Sequence, residues 1–242
     1  MPQIKVIGES CTDIFVYCEA VRLAPDLPVP VLREIHTKLN PGMAANVVRN
    51  LEALSISTNL VTNENWKSIT KTRYVHDQSN HMFFRVDTAH DIARLNIREV
   101  KLDSEIIVIS DYNKGFLKES DIEYICNSHP KVFLDTKKIL GKWAENAKYI
   151  KINSYEFKNS QEYLTDSLLS KVIHTRGAEG CDFLGENFPV ERIDVRDTSG
   201  AGDSFMAALV AKYLDSLDIK SSIIAANKAA SKVVKTRGVS TV

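Results

Sequence analysis

Several things that would settle the class of this chain at once are missing from its 242 residues. Cysteine is sparse. Cys11, Cys18, Cys126 and Cys181 show no Cys-x-x-Cys spacing, and the six histidines form no His-Glu-x-x-His pattern. Neither a zinc cage nor a disulfide framework is indicated. Long apolar runs are also absent: residues 106–109 are among the longest, far short of the roughly 18 that cross a bilayer. The chain opens from Met1-Pro2-Gln3-Ile4 directly into a strand-like segment without an export signal, so a cytoplasmic protein with no membrane partner is expected. There is no charge excess, with 31 Lys plus Arg against 31 Asp plus Glu. Dispersed basic residues in a neutral chain argue against a nucleic-acid partner, whose phosphates require clustered cations. Glycine/serine linkers, charge blocks, repeats and low-complexity tracts are lacking too, so one domain over residues 1–242 is expected.

What is present is alternation. Short runs of β-branched and apolar residues recur at 4–8, 58–61, 106–110, 132–135, 149–153, 172–175 and 181–184. Several are apolar on both faces, as buried parallel strands are. Helical periodicity lies between many of them, in Val47, Val48, Leu51 and Leu54 and in Ile122, Ile125 and Cys126. Two helices in succession are expected near the C-terminus, and a further strand over 190–195. The pattern predicts an α/β layered domain with central parallel strands. Residues 13–35 and 70–87 break the alternation and are expected to form a small β lid.

The most informative string is Asp197-Thr198-Ser199-Gly200-Ala201-Gly202-Asp203, which leads into an amphipathic helix. Two readings fit it. The glycines can turn backbone amides outward at a helix start, making an anion site, with Asp203 in the first turn as a base that takes the proton of an attacking hydroxyl. Alternatively they make a tight turn, and Asp203 complements the helix dipole. Other glycine patterns fail. Phe205 stands where a dinucleotide fingerprint needs a small residue, and residues 180–185 have phosphate-loop spacing but continue with Glu186-Asn187.

This string resembles the signature of the ribokinase, or PfkB-type, carbohydrate kinases, which implies a ribokinase-like three-layer α/β/α sandwich with a mostly parallel central sheet and a small β lid. The resemblance extends through Leu23-Ala24-Pro25-Asp26-Leu27-Pro28, Asn40-Pro41-Gly42-Met43-Ala44-Ala45-Asn46, Thr70-Lys71-Thr72-Arg73, Phe84-Arg85-Val86-Asp87, Ser110-Asp111-Tyr112-Asn113-Lys114-Gly115 and the ending at 238–242. Within the family it is most similar to the kinase domain of bacterial heptose 7-phosphate kinase / ADP-heptose synthase proteins. It implies ATP- and Mg²⁺-dependent transfer of the γ-phosphate to a sugar or sugar phosphate, with D-glycero-D-manno-heptose 7-phosphate phosphorylated at its anomeric hydroxyl as the leading acceptor.

Carried over residue by residue, the resemblance makes Asp203 the base and Gly200, Ala201 and Gly202 the anion hole. Asp13 and Asn46 become sugar-hydroxyl ligands, with Gly42 allowing close approach. Arg73, Arg85 and Lys114 become candidates for a second, non-transferred phosphate, and Asp111 a residue of the substrate cleft. Asn153 and Glu156 are implied to organise Mg²⁺ through water and the ATP phosphates, with no direct protein ligand to the metal, although the same pair reads as a capping box. Thr175, Gly177 and Gly180 fit a nucleotide loop, or a plain hairpin. Asn227 fits the adenine pocket, and Lys137 either approaches the phosphates or is solvated. A homodimer is implied.

Two departures stand out. Met43 replaces a glycine that the relatives keep, so either it is hidden in the core or the sugar pocket is reshaped. The segments 63–69, 159–170 and 185–189 are short. The chain also stops where the kinase domain of the fused relatives ends, so a nucleotidyltransferase, if needed, is expected as a separate protein. The alternatives are a kinase for another sugar or a nucleoside, or a trimmed relative that binds sugar or nucleotide without turnover.

Overall fold

The computed structural model describes residues 3–88, 91–236, 238 and 240–241. Met1 and Pro2 lie outside these residues, as do Val239 and Val242 of the ending that resembles the kinases. Residues Ile4–Gly8 form β1, followed by two long strands, β2 (Ser10–Leu23) and β3 (Pro30–Met43). Then come α1 (Ala44–Ala53), β4 (Thr58–Val61), β5 (Thr70–His76) and β6 (Met82–Asp87). The central part continues with β7 (Ile106–Asp111), α2 (Glu119–Ser128), β8 (Val132–Thr136), β9 (Tyr149–Asn153) and α3 (Ser154–Ser160). It is completed by α4 (Asp166–Leu169), β10 (Val172–Thr175), β11 (Cys181–Phe183), β12 (Glu186–Phe188), α5 (Ala201–Ser216) and α6 (Ile219–Val233).

Eight strands make the main sheet, in the order β12-β11-β10-β9-β8-β7-β1-β4. The pairs from β4 to β10 are parallel, and at one edge β11 pairs antiparallel with both β10 and β12, so β11 is the reversed strand of this sheet. Alternating side chains divide the core in two, as a strand period of two requires. Ile4, Val6, Ile106 and Val108 face α1, α5 and α6, whereas Ile7, Ile107 and Ile109 face α2 and the 132–172 side. The expected three-layer ribokinase-like sandwich is the observed architecture. The carboxyl ends of β1, β7, β8, β9 and β10 share one edge, the place where parallel sheets put their ligands.

The four-stranded second sheet, order β3-β2-β5-β6, uses the two sequence-distant stretches expected to leave the alternation, with longer strands than expected. Its registers put Asp13, Lys71 and Asp87, with Asn40, in one row and Lys38, Phe15, Arg73 and Arg85 in another. The intervening rows hold Leu39, Ile14, Thr72 and Val86, and Thr37, Val16, Tyr74 and Phe84. One face is therefore charged and the other largely apolar.

The strand expected at 190–195 does not form. This extended segment pairs with no strand, and the chain after it is held by Arg196 and Asp197 N–H groups donating to the Val234 carbonyl. Its apolar residues Val190, Ile193 and Val195 line the main cleft instead of pairing in a sheet.

Met43 is hidden in the core. It is 4% exposed and packs in the cluster with Cys11, Ile69 and Ile92, at the price of φ +62°, ψ −132° at the start of α1. That conformation is open to glycine but strained by about 1–3 kcal/mol for a side chain with a Cβ. Truncation to alanine loses the packing and keeps the strain, whereas glycine loses the packing and relieves it. Met43→Ala is therefore expected to destabilise by about 2–4 kcal/mol and Met43→Gly by less, reversing their usual order within a packed helix start. Urea unfolding of both variants checks this, and a less stable glycine variant would contradict the backbone argument.

Candidate active site

The main cleft has a volume of about 860 Å³ and lies at the carboxyl edge of the large sheet. It is lined by Gly200, Ala201, Gly202 and Asp203 from the start of α5, by Asn153 after β9, by Thr175, Gly177 and Gly180 around the β10–β11 turn, and by Asn227 of α6. Residues singled out at separate places in the sequence thus share one cleft. Gly200 takes the left-handed conformation (φ +78°) that lets α5 begin abruptly at Ala201. The turn before it is fixed by the Asp197 carboxylate, which accepts from the N–H groups of Ser199 at 2.8 Å and Gly238 at 3.1 Å. First-turn amides have no partner within their own helix and carry the positive end of its dipole, so this end of the cleft attracts an anion.

Asp203 is 6% exposed. Its Oδ2 accepts from the Asn46 amide nitrogen of α1 at 2.8 Å, and its Oδ1 from the Tyr112 hydroxyl at 2.8 Å. Burial pushes its pKa up to about 6, against the opposing hydrogen bonds of Asn46 and Tyr112. Asn46 is itself 1% exposed, so it is not the helix-surface polar residue its type suggests, and it touches the base directly.

Beside Asp203 a buried ion pair crosses the cleft floor. Lys151 Nζ donates to Asp135 Oδ2 at 2.6 Å, and both side chains are nearly inaccessible. A methyl group on Gly202 would come within 3.2 Å of that ammonium, so the lysine lies directly under the glycine loop. Asp135 Oδ1 is buried without a hydrogen-bond partner. Lys137 also lines the cleft and pairs with Glu156; burial lowers its pKa, but Asp135 and Glu156 outweigh burial and hold it charged.

Asn153 and Glu156 form the capping box in full. Asn153 Oδ1 accepts from the Glu156 N–H at 3.0 Å, and Glu156 Oε2 accepts from the Asn153 N–H at 2.8 Å. Glu156 sits behind Asn153 and is not among the residues lining the cleft. Asn227 holds the edge of the sheet, its amide donating to the Phe188 carbonyl at 2.9 Å. The 175–180 stretch is a tight connection between antiparallel strands, and Gly180 is obligatory because a Cβ there would meet the Phe188 carbonyl oxygen at 2.0 Å.

In the second sheet, Asp13 pairs with Arg73 Nη1 at 2.5 Å, and Arg73 stacks over the Phe15 ring at 5.1 Å. Gly42 is needed for close approach, but to protein: its Cβ would fall 2.5 Å from Asp13 Oδ2. Arg85 is exposed opposite Arg73 and pairs with Asp87. Lys71, next to these, lies 5.0 Å from the Tyr112 ring centroid, which turns the charged face of the second sheet towards Asp203.

Two residues are placed away from this constellation. Asp111 is fully enclosed, its carboxylate taken by Lys138 at 2.8 Å and by the Thr136 hydroxyl at 2.5 Å, and it builds the end of β7. Lys114 is solvent-exposed, and its backbone N–H donates to Glu9 Oε1 at 2.8 Å. Conversely, Tyr112, Lys71, Lys151 and Glu9 were not singled out from the sequence. Glu9 is 0% exposed and collects the N–H groups of Tyr112, Lys114 and Phe116, which shapes the turn carrying Tyr112. No local pattern marks it, because its partners lie more than 100 residues away.

The fold is that of ribokinase-type kinases. Over 98% of this chain and 93% of the other, the structure resembles the nucleoside kinase of Methanocaldococcus jannaschii, with a TM-score of 0.72 at 16% identity. A mutant of phosphofructokinase-2 from Escherichia coli matches at TM-score 0.73 and 15% identity, over all of this chain and 96% of that one. In sequence, residues 120–242 match the pfkB family carbohydrate kinases, and the chain belongs to that family. It is a carbohydrate kinase. Among curated proteins it is 30% identical to the bifunctional protein HldE of Helicobacter pylori strain Shi470 over 98% of its own length, and 26% identical to that of Haemophilus influenzae strain PittEE over 99%. The chain spans 64% and 61% of the length of those relatives.

The raised pKa of Asp203 makes its ionisation a cost to folding. The sign is fixed by linkage: stability associated with the protonated carboxyl is present below the ordinary value of 3.8 and is lost as pH rises through about 6. Asp203→Asn does not ionise, so relative to the parent it is expected to gain about 1–3 kcal/mol between pH 4 and pH 7.5. Urea unfolding at the two pH values measures this, and an unchanged difference would show that Asp203 titrates normally.

Proposed function

We propose that this kinase transfers the γ-phosphate of ATP to a hydroxyl of a sugar phosphate, with D-glycero-D-manno-heptose 7-phosphate as acceptor at the anomeric position. The observation that carries the reading is the placement of Asp203. It is buried at the N-terminus of α5, anchored through both oxygens, beside glycine amides that open on the cleft. The acceptor O–H gives its proton to Asp203 as the new O–Pγ bond forms, and the bond from Pγ to the bridging oxygen breaks, releasing ADP. Amides of Gly200, Gly202 and Asp203 and the ammonium of Lys151 offset the charge on the moving phosphoryl group, whereas the Ala201 N–H donates to the Thr198 carbonyl at 3.2 Å. A base with a pKa near 6 is largely ionised at neutral pH and still accepts a proton readily.

Mg²⁺ fits this donor set through water. Asp135 and Asn153 line the cleft, and Asp135 Oδ1 is a buried acceptor without a hydrogen-bond partner. Asp135 and Asn153 would orient the hydration shell of an ATP-bound ion, whose charge is neutralising when present, with Glu156 acting from behind by holding Asn153 and Lys137.

An anionic acceptor is supported by the charged face of the lid, where Lys38, Lys71, Arg73 and Arg85 outnumber Asp13 and Asp87. Such a face suits an anionic sugar better than a neutral one. Its other face exposes Leu39, Phe84 and Val86, which a second copy would cover, and this supports a homodimer through the lids.

The primary test is Mg²⁺-dependent ADP release across sugar phosphates and free sugars. Turnover on heptose 7-phosphate that is lost in Asp203→Asn supports the reading; ATP binding without acceptor-dependent turnover would replace it with a binding protein. In Arg85→Ala, KM for the sugar phosphate is expected to rise about 10-fold while that for free sugars is unchanged, the loss of one charge-assisted contact. Phe84→Glu is expected to halve the mass seen by light scattering, and an unaltered mass would remove the lid from the interface.

A further inference from the structure

The acid limb of a base-catalysed reaction depends on what holds the base, and here one of the two holders is a tyrosine outside the expected site. We propose that Tyr112 is a positioning residue for Asp203, its hydroxyl fixing the carboxylate through Oδ1 and keeping it ionised for proton abstraction. This rests on the reading of Asp203 as the base.

Tyr112 lines the cleft, so its hydroxyl could face solvent; instead it donates to Asp203 at 2.8 Å. The ring is held from three sides. Its own N–H donates to Glu9 Oε2 at 2.8 Å, Lys71 of the lid lies 5.0 Å from the ring centroid, and Lys137 lies at 5.6 Å. Ammonium groups within about 6 Å of an aromatic face are attracted to it, so a lysine of the lid and a lysine paired with Glu156 both bear on this ring. With Asn46 on Oδ2, the two donors define the plane of the carboxylate and leave its remaining lone pairs for an acceptor hydroxyl.

The charged surroundings oppose one another. Burial and Asp135 of β8 raise the pKa of Asp203, whereas Asn46 of α1, Tyr112 and Lys151 of β9 lower it. Asp13 and Cys11 of β2, Lys71 of β5 and Lys137 complete the set of titratable groups around the pair. Cys11 is pushed up to about 12 by burial and stays neutral. Burial, then Asp203 itself, pushes Tyr112 well above its ordinary value, so its hydroxyl remains a donor across the working range. A donor to the ionised form lowers an acid's pKa, so removing it must shift the titration upward.

The test follows Asp203 directly, by carbon-13 NMR of labelled aspartate assigned through the resonance missing in Asp203→Asn, together with the pH profile of turnover. In Tyr112→Phe the Asp203 midpoint and the acid limb of kcat are expected to rise by roughly one pH unit, with kcat down about 5-fold at pH 6 and KM within about 2-fold. Fluorotyrosine introduced at position 112 has the same shape and a more acidic phenol, and should move the midpoint downward. Midpoints unchanged in both, or a rise in KM alone, would overturn the assignment while lost turnover in Asp203→Asn left the base intact. Full turnover in Asp203→Asn would instead remove the base, and with it this role for Tyr112.

Discussion

A carboxylate that must ionise inside a protein sets terms for its neighbours. Asp203 is 6% exposed, and the free energy lost on taking it from water has to be offset by donors aimed at it. The start of α5 supplies a dipole, α1 supplies Asn46, and the turn after β7 supplies Tyr112. Each of these depends on a further buried polar contact. Asn46 is packed beside Asn50, whose amide donates to the Asn46 carbonyl at 2.8 Å, while Asn50 accepts from the Ser204 hydroxyl, next to Asp203. Tyr112 depends on Glu9, which stands at the end of β1 and gathers three N–H groups of one turn. The helix α1, the strand β1 and the helix α5 are thus tied at one point.

That arrangement explains how much could be read from residues alone. The sheet was legible because its strands are short, doubly apolar runs, and the glycine string was legible because Gly200, Gly202 and Asp203 act within one helical turn. Contacts across long sequence distances left no such trace: 91 residues separate Tyr112 from Asp203, and 103 separate Glu9 from Tyr112. Residues 190–195 misled for a different reason. Val190, Ile193 and Val195 have the composition of a strand, but their apolar side chains face a cleft, and local composition does not say whether the partner is a sheet or a ligand.

Met43 shows the same limit at one residue. Its type fits the core, and the core is where it lies, yet its backbone takes the conformation a glycine would adopt. Side-chain burial and backbone preference conflict here, and burial prevails because about 2–4 kcal/mol of packing exceeds about 1–3 kcal/mol of strain. The thioether joins Cys11, Ile69 and Ile92 rather than the cleft, so the substitution changes the stability of the helix start more than the shape of the site.

On the proposed reading, the second sheet answers a requirement that the sandwich alone does not meet. Phosphoryl transfer would need an acceptor held against Asp203 with water excluded, and the second sheet stands on that side, its Lys71 lying 5.0 Å from the Tyr112 ring centroid. A twisted sheet one layer thick can close that side only by presenting two unlike faces, because its side chains alternate. Here the inner rows carry Asp13, Lys71, Arg73 and Arg85, and the outer rows carry Leu39, Ile14, Tyr74 and Phe84. The inner charges would repel one another without counter-charges, and Asp13 and Asp87 each neutralise one arginine at rest. An anionic acceptor would then compete with these carboxylates for the same guanidinium groups. Affinity for it becomes a difference between two charge pairings rather than the full strength of one, which favours ready release of product.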